Sequence, residues 1–418
     1  MVADVTDENS SAETFPCRVC GGLVRQWFDF GPQPISNAFY RDGDAVAGIR
    51  YDLVVGICRS CTMVQQRDEC PRESMFRPDY PYRASGSALM RKHFEQVAEW
   101  LLATELAGPD PFIVEIGSND GVMLRTIRGA GVRHLGVDPS RDAAEVAAAE
   151  GVRVRVDFFE ESTAASIRAA EGPADVIYSA NVISHIPYVD TILRGVAELL
   201  SPTGVFMFED RYLGDIVAHS SFDQLYDEHF YLFAARSVQA MVAQFGLELV
   251  DVAHLDVHGG SVRYTVARAG VRTPSPAVRD LLARESRQGL AEMATYERFA
   301  DRIVAIREDL VTLLRELRAE GKQVVGYGAT SKSATVTNYC GIGPDLVPYV
   351  CDSTPEKQGR LSPGSGIPVR SQDEFSRPYP DYALLFAWNH AEEIMAKERE
   401  FSERGGRWIL YVPTVHVV

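Results

Sequence analysis

Four cysteines form two C-x-x-C pairs near the start of the chain, at Cys17, Cys20, Cys58 and Cys61. Each pair can present two thiolates to one tetrahedral ion at about 2.3 Å, and four such ligands leave no position open for a substrate. Gly21, directly after the first pair, supplies the tight turn that this kind of knuckle needs. The alternative is four unrelated thiols. The spacing predicts a closed, structural zinc site that ties together a loop-rich lobe.

A glycine-containing turn forms the second group, and Val114–Gly121 reads V-E-I-G-S-N-D-G after an apolar run. Glycines let the backbone approach a ligand, and a helix that begins there offers free N–H groups. About twenty residues later, Asp138 can accept hydrogen bonds from a ribose diol. The turn lacks the G-x-G-x-x-G of an NAD site, and it resembles the class I S-adenosylmethionine-dependent methyltransferases. A turn in some other α/β fold is the alternative.

This first resemblance implies a set of residues that hold the methyl donor. Asp157 and Phe158 would lie near the adenine, and Asn181 would face the methyl-donor pocket. The implied donor-binding residues are Glu115, Gly117, Ser118, Asn119, Asp138, Asp157, Phe158 and Asn181.

A third group combines histidines with a tyrosine and carboxylates. His185 and His229 both follow predicted strands, at the edge where open α/β sheets bind their ligands. Tyr226, Glu228 and His229 lie within four residues, after Glu209-Asp210. They could act as a phenol donor, an orienting carboxylate and a base.

A second glycine turn occurs at Val325–Ser333, which reads V-G-Y-G-A-T-S-K-S. Its Lys332 favours a sugar-nucleotide diphosphate, because lysine binds phosphate as a point charge. Asp352 ends the next predicted strand, as a ribose-binding acid would. An NAD site and a purely structural turn are the alternatives. The turn before Ser261 and the side chain of Arg263 could also line a substrate cleft, although an ordinary hairpin explains them equally well.

The elements that must position these groups can be predicted from short apolar runs that alternate with helical stretches. The central strands are expected at Phe112–Ile116, His134–Val137, Val152–Val156, Asp175–Tyr178, Val205–Phe208, Leu247–Ala253 and Ser261–Val266. This order predicts a seven-stranded, mainly parallel sheet with an antiparallel edge. A helical pair over 276–320 would follow, and then further βαβ alternation with strands at Gln323–Gly326, Val347–Cys351, Tyr382–Phe386 and Trp408–Val412.

The predicted fold is therefore α/β in three parts. A small zinc-binding lobe would occupy residues 1–77. A methyltransferase domain with a Rossmann-like sheet would occupy 78–285, and a smaller Rossmann-like α/β domain that binds a nucleotide-sugar would occupy 286–418.

Composition limits the classes of partner. The 418 residues contain 42 Lys plus Arg against 58 Asp plus Glu, a net charge of −16. This balance argues against a nucleic acid polymer, whose phosphates require clustered cations. No apolar run approaches the roughly 20 residues of a membrane helix. The polar, acidic start does not resemble a signal peptide, and seven cysteines with two C-x-x-C pairs indicate a reducing cytoplasm. We expect the protein to be a monomer.

Together the motifs resemble one family over nearly the whole chain, the sugar C-methyltransferases of deoxysugar and antibiotic biosynthesis. The matching stretches are the two C-x-x-C pairs, Val114–Gly121, Asn181–His185, Tyr226–Tyr231, Gly326–Lys332 and Trp388-Asn389-His390. The resemblance implies S-adenosylmethionine-dependent methyl transfer to C-3 of a dTDP-linked 4-keto-deoxysugar. The implied catalytic residues are His229, Glu228, Tyr226, His185 and Tyr80. The candidate substrate-binding residues are Tyr80, Gly328, Ser331, Lys332, Asp352, Trp388, Asn389 and Arg263.

The residue types suit this chemistry. A carbon nucleophile forms when a base removes a proton beside a carbonyl, and an imidazole whose tautomer Glu228 holds could do so. The enolate oxygen needs a donor, for which Tyr226, Tyr80 and His185 are candidates. Methylation at C-5 is the leading alternative. Transfer to oxygen or nitrogen would leave the Tyr-Glu-His group without a clear task, and a non-catalytic, zinc-stabilised nucleotide-binding module is the alternative of another class.

Overall fold

The computed structural model describes residues 13–44, 48–75 and 83–418, so Tyr80 lies outside the described residues. The strands are β1 (Thr14–Pro16), β2 (Leu23–Gln33), β3 (Tyr51–Cys58), β4 (Val64–Gln66), β5 (Phe112–Ile116), β6 (Arg133–Asp138), β7 (Val154–Val156), β8 (Ala174–Ala180), β9 (Leu200–Arg211), β10 (Tyr231–Leu232), β11 (Leu247–Leu255), β12 (Ser261–Arg268), β13 (Val324–Tyr327), β14 (Val350–Asp352), β15 (Val369–Ser371), β16 (Tyr382–Leu385), β17 (Arg407–Leu410) and β18 (His416–Val417). The helices are α1 (Arg72–Met75), α2 (Ala88–Ala103), α3 (Val122–Gly129), α4 (Arg141–Ala149), α5 (Glu161–Glu171), α6 (Val189–Leu199), α7 (Leu213–His219), α8 (Ala235–Ala243), α9 (Pro276–Gln288), α10 (Met293–Ala319), α11 (Ser331–Cys340), α12 (Ala391–Lys397) and α13 (Arg399–Glu403).

The first sheet is antiparallel, in the order β1-β2-β3-β4-β10. The prediction of a loop-rich lobe was therefore wrong. Gly31 and Pro32 have the composition of a turn, but they lie inside β2 at an irregularity in its register with β3. Gly31 adopts φ +70°. A β-bulge allows Gly31 and Pro32 to lie within the strand without ending it. The lobe thus has a sheet of its own.

The central sheet confirms the seven predicted strands, in the order β11-β12-β9-β8-β5-β6-β7. β9, β8, β5, β6 and β7 are parallel, and β12 and β11 add an antiparallel edge. All five residues of β5 are buried, as expected for a parallel strand covered on both faces. Because these strands run the same way, the loops after β5, β6, β7, β8 and β9 open at one edge of the sheet.

The third sheet has the order β15-β14-β13-β16-β17-β18, parallel except for the last pair. It contains the four predicted strands, whereas the sequence analysis missed the short edge strands β15 and β18. The predicted helical pair is α9 and α10, separated by a break at Gly289. Tyr296 and Phe299 of α10 pack on Trp27 of β2, with ring centroids 5.5 and 5.3 Å apart.

The strand β10 joins two parts of the chain that the sequence analysis had separated. It lies within the region assigned to the methyltransferase domain, yet it pairs with β4 of the first sheet. The loop that carries Tyr226–His229 directly precedes it, so this loop is held between the first and second sheets. Within the described ranges, no helix combines the length and apolarity needed to cross a membrane.

Candidate functional site

The four predicted metal ligands converge. Their four Sγ atoms, from Cys17, Cys20, Cys58 and Cys61, all lie within 4.8 Å of one another. The Sγ atoms of Cys17 and Cys61 are 3.6 Å apart, and those of Cys20 and Cys58 are 3.5 Å apart. Tetrahedral ligands with Zn–S bonds of about 2.3 Å would lie about 3.8 Å apart. The cluster therefore fits a zinc ion with only small adjustments.

The two C-x-x-C turns are built alike. The N–H of Gly21 donates to the carbonyl of Cys17, and the N–H of Thr62 donates to the carbonyl of Cys58. Gly21 and Thr62 both have positive φ, at 71° and 60°. The other cysteines, Cys70, Cys340 and Cys351, are buried.

The predicted donor-binding residues gather at the carboxyl edge of the central sheet. Their loops follow β5, β6, β7 and β8, which are neighbours in the order β8-β5-β6-β7. Gly117 has φ +71°, and a Cβ there would lie 2.4 Å from Val182. Asn181 also has positive φ, at 55°, directly before Val182. The structure thus brings the loops after β5 and β8 into contact, and the first of them requires glycine.

Asp138 ties two loops together. Its Oδ2 accepts from the N–H of Asn119 at 2.8 Å, and its Oδ1 accepts from the N–H of Ser140 at 2.8 Å. Burial raises the pKa of Asp138, while these two amides act in the opposite direction. The carboxylate therefore shapes the loop after β5, and each oxygen keeps a second lone pair for a ligand. Its expected bond to a ribose remains a prediction.

The other candidates at this edge differ in their surroundings. Glu115 is buried, and burial followed by the charge of Asp138 raises its pKa well above the ordinary value. The side chain of Ser118 packs against Gly136, and the residue is buried. Asp157 is bound by Arg155 at 2.9 Å. The guanidinium of Arg72 lies 4.1 Å from the centre of the Phe158 ring, a cation–π contact.

His229 is the best-defined reactive side chain. It is 1% exposed, and its Nδ1 lies 2.5 Å from the carbonyl oxygen of Gln224. A carbonyl only accepts, so this contact assigns the proton to Nδ1 and the lone pair to Nε2. Nε2 has no hydrogen-bond partner among the described residues. Burial, then the charge of Arg211, lowers the pKa of His229 well below its ordinary value, which keeps the ring neutral.

Glu228 does not hold the tautomer of His229, contrary to the prediction, because the Gln224 carbonyl occupies Nδ1. The Oε1 of Glu228 instead accepts from Nδ2 of Asn37 at 2.7 Å, and the Oδ1 of Asn37 accepts from the hydroxyl of Ser331 at 2.9 Å. Asn37 therefore joins the loop of the base to the second glycine turn. Its contacts span 191 and 294 residues, and no local pattern in the sequence marks them.

Tyr226 and His185 lie beside the base, as predicted. The ring centroids of Tyr226 and His229 are 3.9 Å apart, and those of His185 and His229 are 5.4 Å apart. Burial followed by the charge of Arg211 lowers the pKa of His185 to about 3. Both imidazoles are thus neutral at physiological pH. One ring can then donate a hydrogen bond to a ligand while the other accepts a hydrogen bond or a proton from it.

Arg211 connects the donor edge to the base, and the sequence analysis missed it. Its Nη1 donates to Oδ1 of Asn181 at 3.3 Å, and its Nε donates to Oε1 of Gln224 at 3.1 Å. The Nε2 of Gln224 in turn donates to the carbonyl of His258 at 2.9 Å. Arg211 directly follows Glu209-Asp210 at the end of β9, and this position at the ligand-binding edge could have identified it.

Lys332 and Trp388 face this group from the third sheet. Lys332 is 8% exposed, and its Nζ lies 2.5 Å from Oδ1 of Asn389 and 4.5 Å from the centre of a Trp388 ring. Trp388 donates from Nε1 to Oδ2 of Asp223 at 2.6 Å and packs against Gly259, which follows His258. The second glycine turn and the loop that carries His229 are therefore neighbours in the fold.

The remaining candidate substrate-binding residues, Gly328, Asp352 and Arg263, contact other residues of the protein, and these contacts explain part of their positions. Gly328 has φ +86°, and a Cβ there would lie 3.0 Å from that of Ala387. Asp352 accepts from the amides of Ala329 and Thr354, each at 2.7 Å, much as Asp138 does in the central sheet. Arg263 donates to Oε1 of Glu209 at 2.7 Å and lies over Trp100. A direct role of these three residues in substrate binding remains a prediction.

Carboxyl groups gather at the donor edge, and basic side chains lie near His258. The donor edge has three neighbouring carboxyl groups, Glu115, Asp120 and Asp138. The opposite side has Arg211 and Lys332 close enough to His258 to lower its pKa, after burial. A cationic ligand would favour the ionised form of these carboxyl groups, and an anionic ligand would favour the charged form of Lys332, because buried charges require partners of opposite sign.

Three known families match consecutive parts of the chain. Residues 17–76 match "Putative zinc binding domain", residues 90–252 match "Methyltransferase domain", and residues 256–413 match "C-methyltransferase C-terminal domain". A solved structure of an S-adenosylmethionine-dependent methyltransferase from Anabaena variabilis is 20% identical, with a TM-score of 0.34 over 42% of this chain and 84% of that one.

Curated relatives agree with these matches. C-methyltransferase NovU from Streptomyces niveus is 37% identical over 409 residues, which cover 96% of each chain. A ubiquinone biosynthesis O-methyltransferase from Ralstonia nicotianae is 30% identical over 26% of this chain and 47% of its own. The similarity to NovU along nearly the full length of both chains shows that this protein belongs to the same C-methyltransferase family, as an S-adenosylmethionine-dependent C-methyltransferase with an N-terminal zinc-binding domain.

Proposed function

We propose that the enzyme methylates C-3 of a dTDP-linked 4-keto-deoxysugar, with His229 as the base that forms the enolate. The observation that carries this proposal is the hydrogen bond from Nδ1 of His229 to the Gln224 carbonyl. It leaves the lone pair of Nε2 without a partner among the described residues, in a buried position beside the donor edge. A carbon beside a ketone becomes a nucleophile only when such a base removes its proton.

S-adenosylmethionine, when bound, supplies a methyl group that is already activated as a sulfonium. The protein must therefore remove the proton, stabilise the enolate oxygen and align the carbon. His229 takes the proton at Nε2. His185 and Tyr226, whose rings lie beside that of His229, would donate to the enolate oxygen, and the guanidinium of Arg211 would favour the negative charge that develops there.

The charges of the cleft support the assignment of the two ligands. The carboxyl groups of Glu115, Asp120 and Asp138 suit a donor that carries a sulfonium and an ammonium group. Lys332 suits the diphosphate of a nucleotide-sugar. Burial, partly offset by the attraction of Asp223, lowers its pKa to about 8, and a bound diphosphate would favour its charged form. Trp388, beside Lys332, offers a flat apolar face to the substrate.

We further propose that the zinc has a structural role. Four thiolates fill a tetrahedral shell, so no position remains for a substrate or a water molecule. Gln65 donates from Nε2 to Sγ of Cys17 at 3.0 Å and would stabilise its thiolate.

Replacement of Cys58 by serine should remove one ligand, lower the zinc content below one ion per chain and lower the melting temperature. Cys340→Ser is the matched control, because Cys340 is a buried thiol outside the cluster. Metal analysis and thermal unfolding measure both effects. A Cys58→Ser protein that lacks zinc yet melts and turns over like the control would contradict the structural role.

His229→Asn keeps a polar side chain but cannot accept the proton, so turnover should fall by about 10²–10⁴-fold while both ligands still bind. The direct measurement is deuterium exchange in deuterium oxide, with the keto-sugar and S-adenosylhomocysteine. The wild type should incorporate deuterium at C-3, and the variant should not. Undiminished exchange in the variant would exclude His229 as the base. Exchange at C-5 alone would exclude C-3 and leave the base in place.

Lys332→Met removes a buried charge with little change in volume. The Michaelis constant for the dTDP-sugar should rise about tenfold to hundredfold, which corresponds to the 1.5–3 kcal/mol of a charge-assisted bond. Calorimetric binding of S-adenosylmethionine should stay unchanged. Lys322→Met is the control, because the Lys322 side chain is 44% exposed and pairs with Asp381. Unchanged kinetics in Lys332→Met, or tight binding of NADH without binding of dTDP, would count against the proposed substrate.

The acid limb of kcat/KM should lie below pH 6.5, since burial and Arg211 both lower the pKa of His229. Arg211→Met removes a nearby positive charge, which makes the imidazolium less unfavourable and raises the pKa of His229. The limb should then move to higher pH, towards the ordinary histidine value of about 6.5. Arg272→Met is the control, because Arg272 pairs with Glu105 outside the cleft. A limb that stays in place or moves to lower pH in Arg211→Met would contradict this electrostatic role.

A further inference from the structure

The backbone of the loop that carries the base is held by Gln66, at the end of β4. Gln66 is 1% exposed, and its Nε2 donates to the carbonyls of Tyr226 at 2.6 Å and of His229 at 2.8 Å. Its backbone N–H donates to the carbonyl of Phe230 at 3.0 Å. One residue of the first sheet therefore binds three of the five carbonyls between Tyr226 and Phe230.

The strand β4 also reaches the cysteine cluster. Adjacent residues of a strand point to opposite faces, and Gln65, next to Gln66, donates to Sγ of Cys17 at 3.0 Å. In addition, Gln65 pairs with Tyr231 in the ladder between β4 and β10. The position of the loop is thus set by a strand whose other face is fixed at the metal ligands.

The anchoring by Gln66 is separate from the hydrogen bond that fixes the ring. The Gln224 carbonyl holds Nδ1 of His229 and so determines its tautomer and its ring orientation. Gln66 holds the main chain from which that ring projects. A ring with the right tautomer is still inactive if its backbone moves, because proton transfer requires the base within hydrogen-bond reach of the proton.

A purely apolar side chain at position 66 would leave two buried carbonyls short of a partner. The Tyr226 carbonyl would keep one bond, from the N–H of His229 at 2.9 Å. The His229 carbonyl would lose its bond to Nε2. Buried backbone groups seldom remain unpaired, so the loop would shift to recover a partner. A shift of about 1 Å in a catalytic group can cost about a hundredfold in rate.

We propose that Gln66 is a positioning residue for proton removal by His229, through its bonds to the carbonyls of Tyr226 and His229. This inference rests on the proposed function, in which His229 is the base. The hydrogen bonds of the Gln66 side chain go to backbone carbonyls and not to the ring of His229. Its effect on the reaction is therefore exerted through the position of the loop.

The test compares Gln66→Met with Gln33→Met. Gln33 is a matched control, since it is a buried glutamine of the same sheet whose Nε2 donates to the carbonyl of Phe30 at 3.0 Å and not to a carbonyl of the loop. Deuterium exchange into the keto-sugar, with S-adenosylhomocysteine present, should be slowed about tenfold to hundredfold in Gln66→Met. The rate is expressed per site that binds S-adenosylmethionine in calorimetry. The zinc content, the affinity for S-adenosylmethionine and the Michaelis constant should match those of the control.

Expressing the rate per binding site separates positioning from folding, because a partly unfolded sample loses binding sites and exchange together. Gln66→Asn keeps both N–H donors on a shorter side chain and should exchange at an intermediate rate, which provides a second variant if Gln66→Met does not fold. Wild-type exchange per site in both Gln66 variants, or an equal loss in Gln33→Met, would overturn the inference. Undiminished exchange in His229→Asn would instead overturn the proposed function, whatever the Gln66 variants do.

Discussion

The candidate site depends on the burial of one largely irregular segment. Residues 220–234 are all buried, although only Phe222–Gln224 and β10 belong to a helix or a strand there. Irregular backbone normally lies on the surface, because its polar groups need water or a partner. Here the partners come from all three parts of the chain: Phe230 donates to the Ser184 carbonyl, the Leu225 carbonyl accepts from Thr335 of α11, and Gln66 of β4 binds further carbonyls. The hydrogen bonds of this loop therefore bring the three parts of the chain together around His229.

Much of the central fold was predictable from local sequence. Buried parallel strands form continuous apolar runs such as Phe112–Ile116, and positive φ at Gly117 requires glycine. The spacing of the four cysteines in the sequence was enough to predict that they form one cluster. The sheet of the first lobe was missed because Gly31 and Pro32 have the composition of a turn, and only pairing with β3 shows that they form a bulge.

The sequence predicted the parts of the site that consist of side chains close together in the chain. The prediction failed for the parts that consist of backbone groups or of residues distant in sequence. His229 and Tyr226 are neighbours in both respects. The orienting group, however, is the backbone carbonyl of Gln224, and every residue has such a carbonyl, so the sequence cannot distinguish it from Glu228. Asn37 acts across the fold, and its role becomes visible only when the first and third sheets are both in place.

The placement of Arg211 has two opposite effects on the proposed reaction. Its charge makes protonation of the nearby imidazoles less favourable, which keeps His229 available as a base but also weakens it. The same charge stabilises an enolate, which forms only as the proton leaves. In the transition state the growing imidazolium is repelled while the growing enolate is attracted, and the two effects partly cancel. A weak base can therefore suffice, provided that it lies close to the acidic carbon and the guanidinium lies closer to the oxygen. This requirement explains why so many hydrogen bonds fix Arg211 and the loop of His229 in relation to each other.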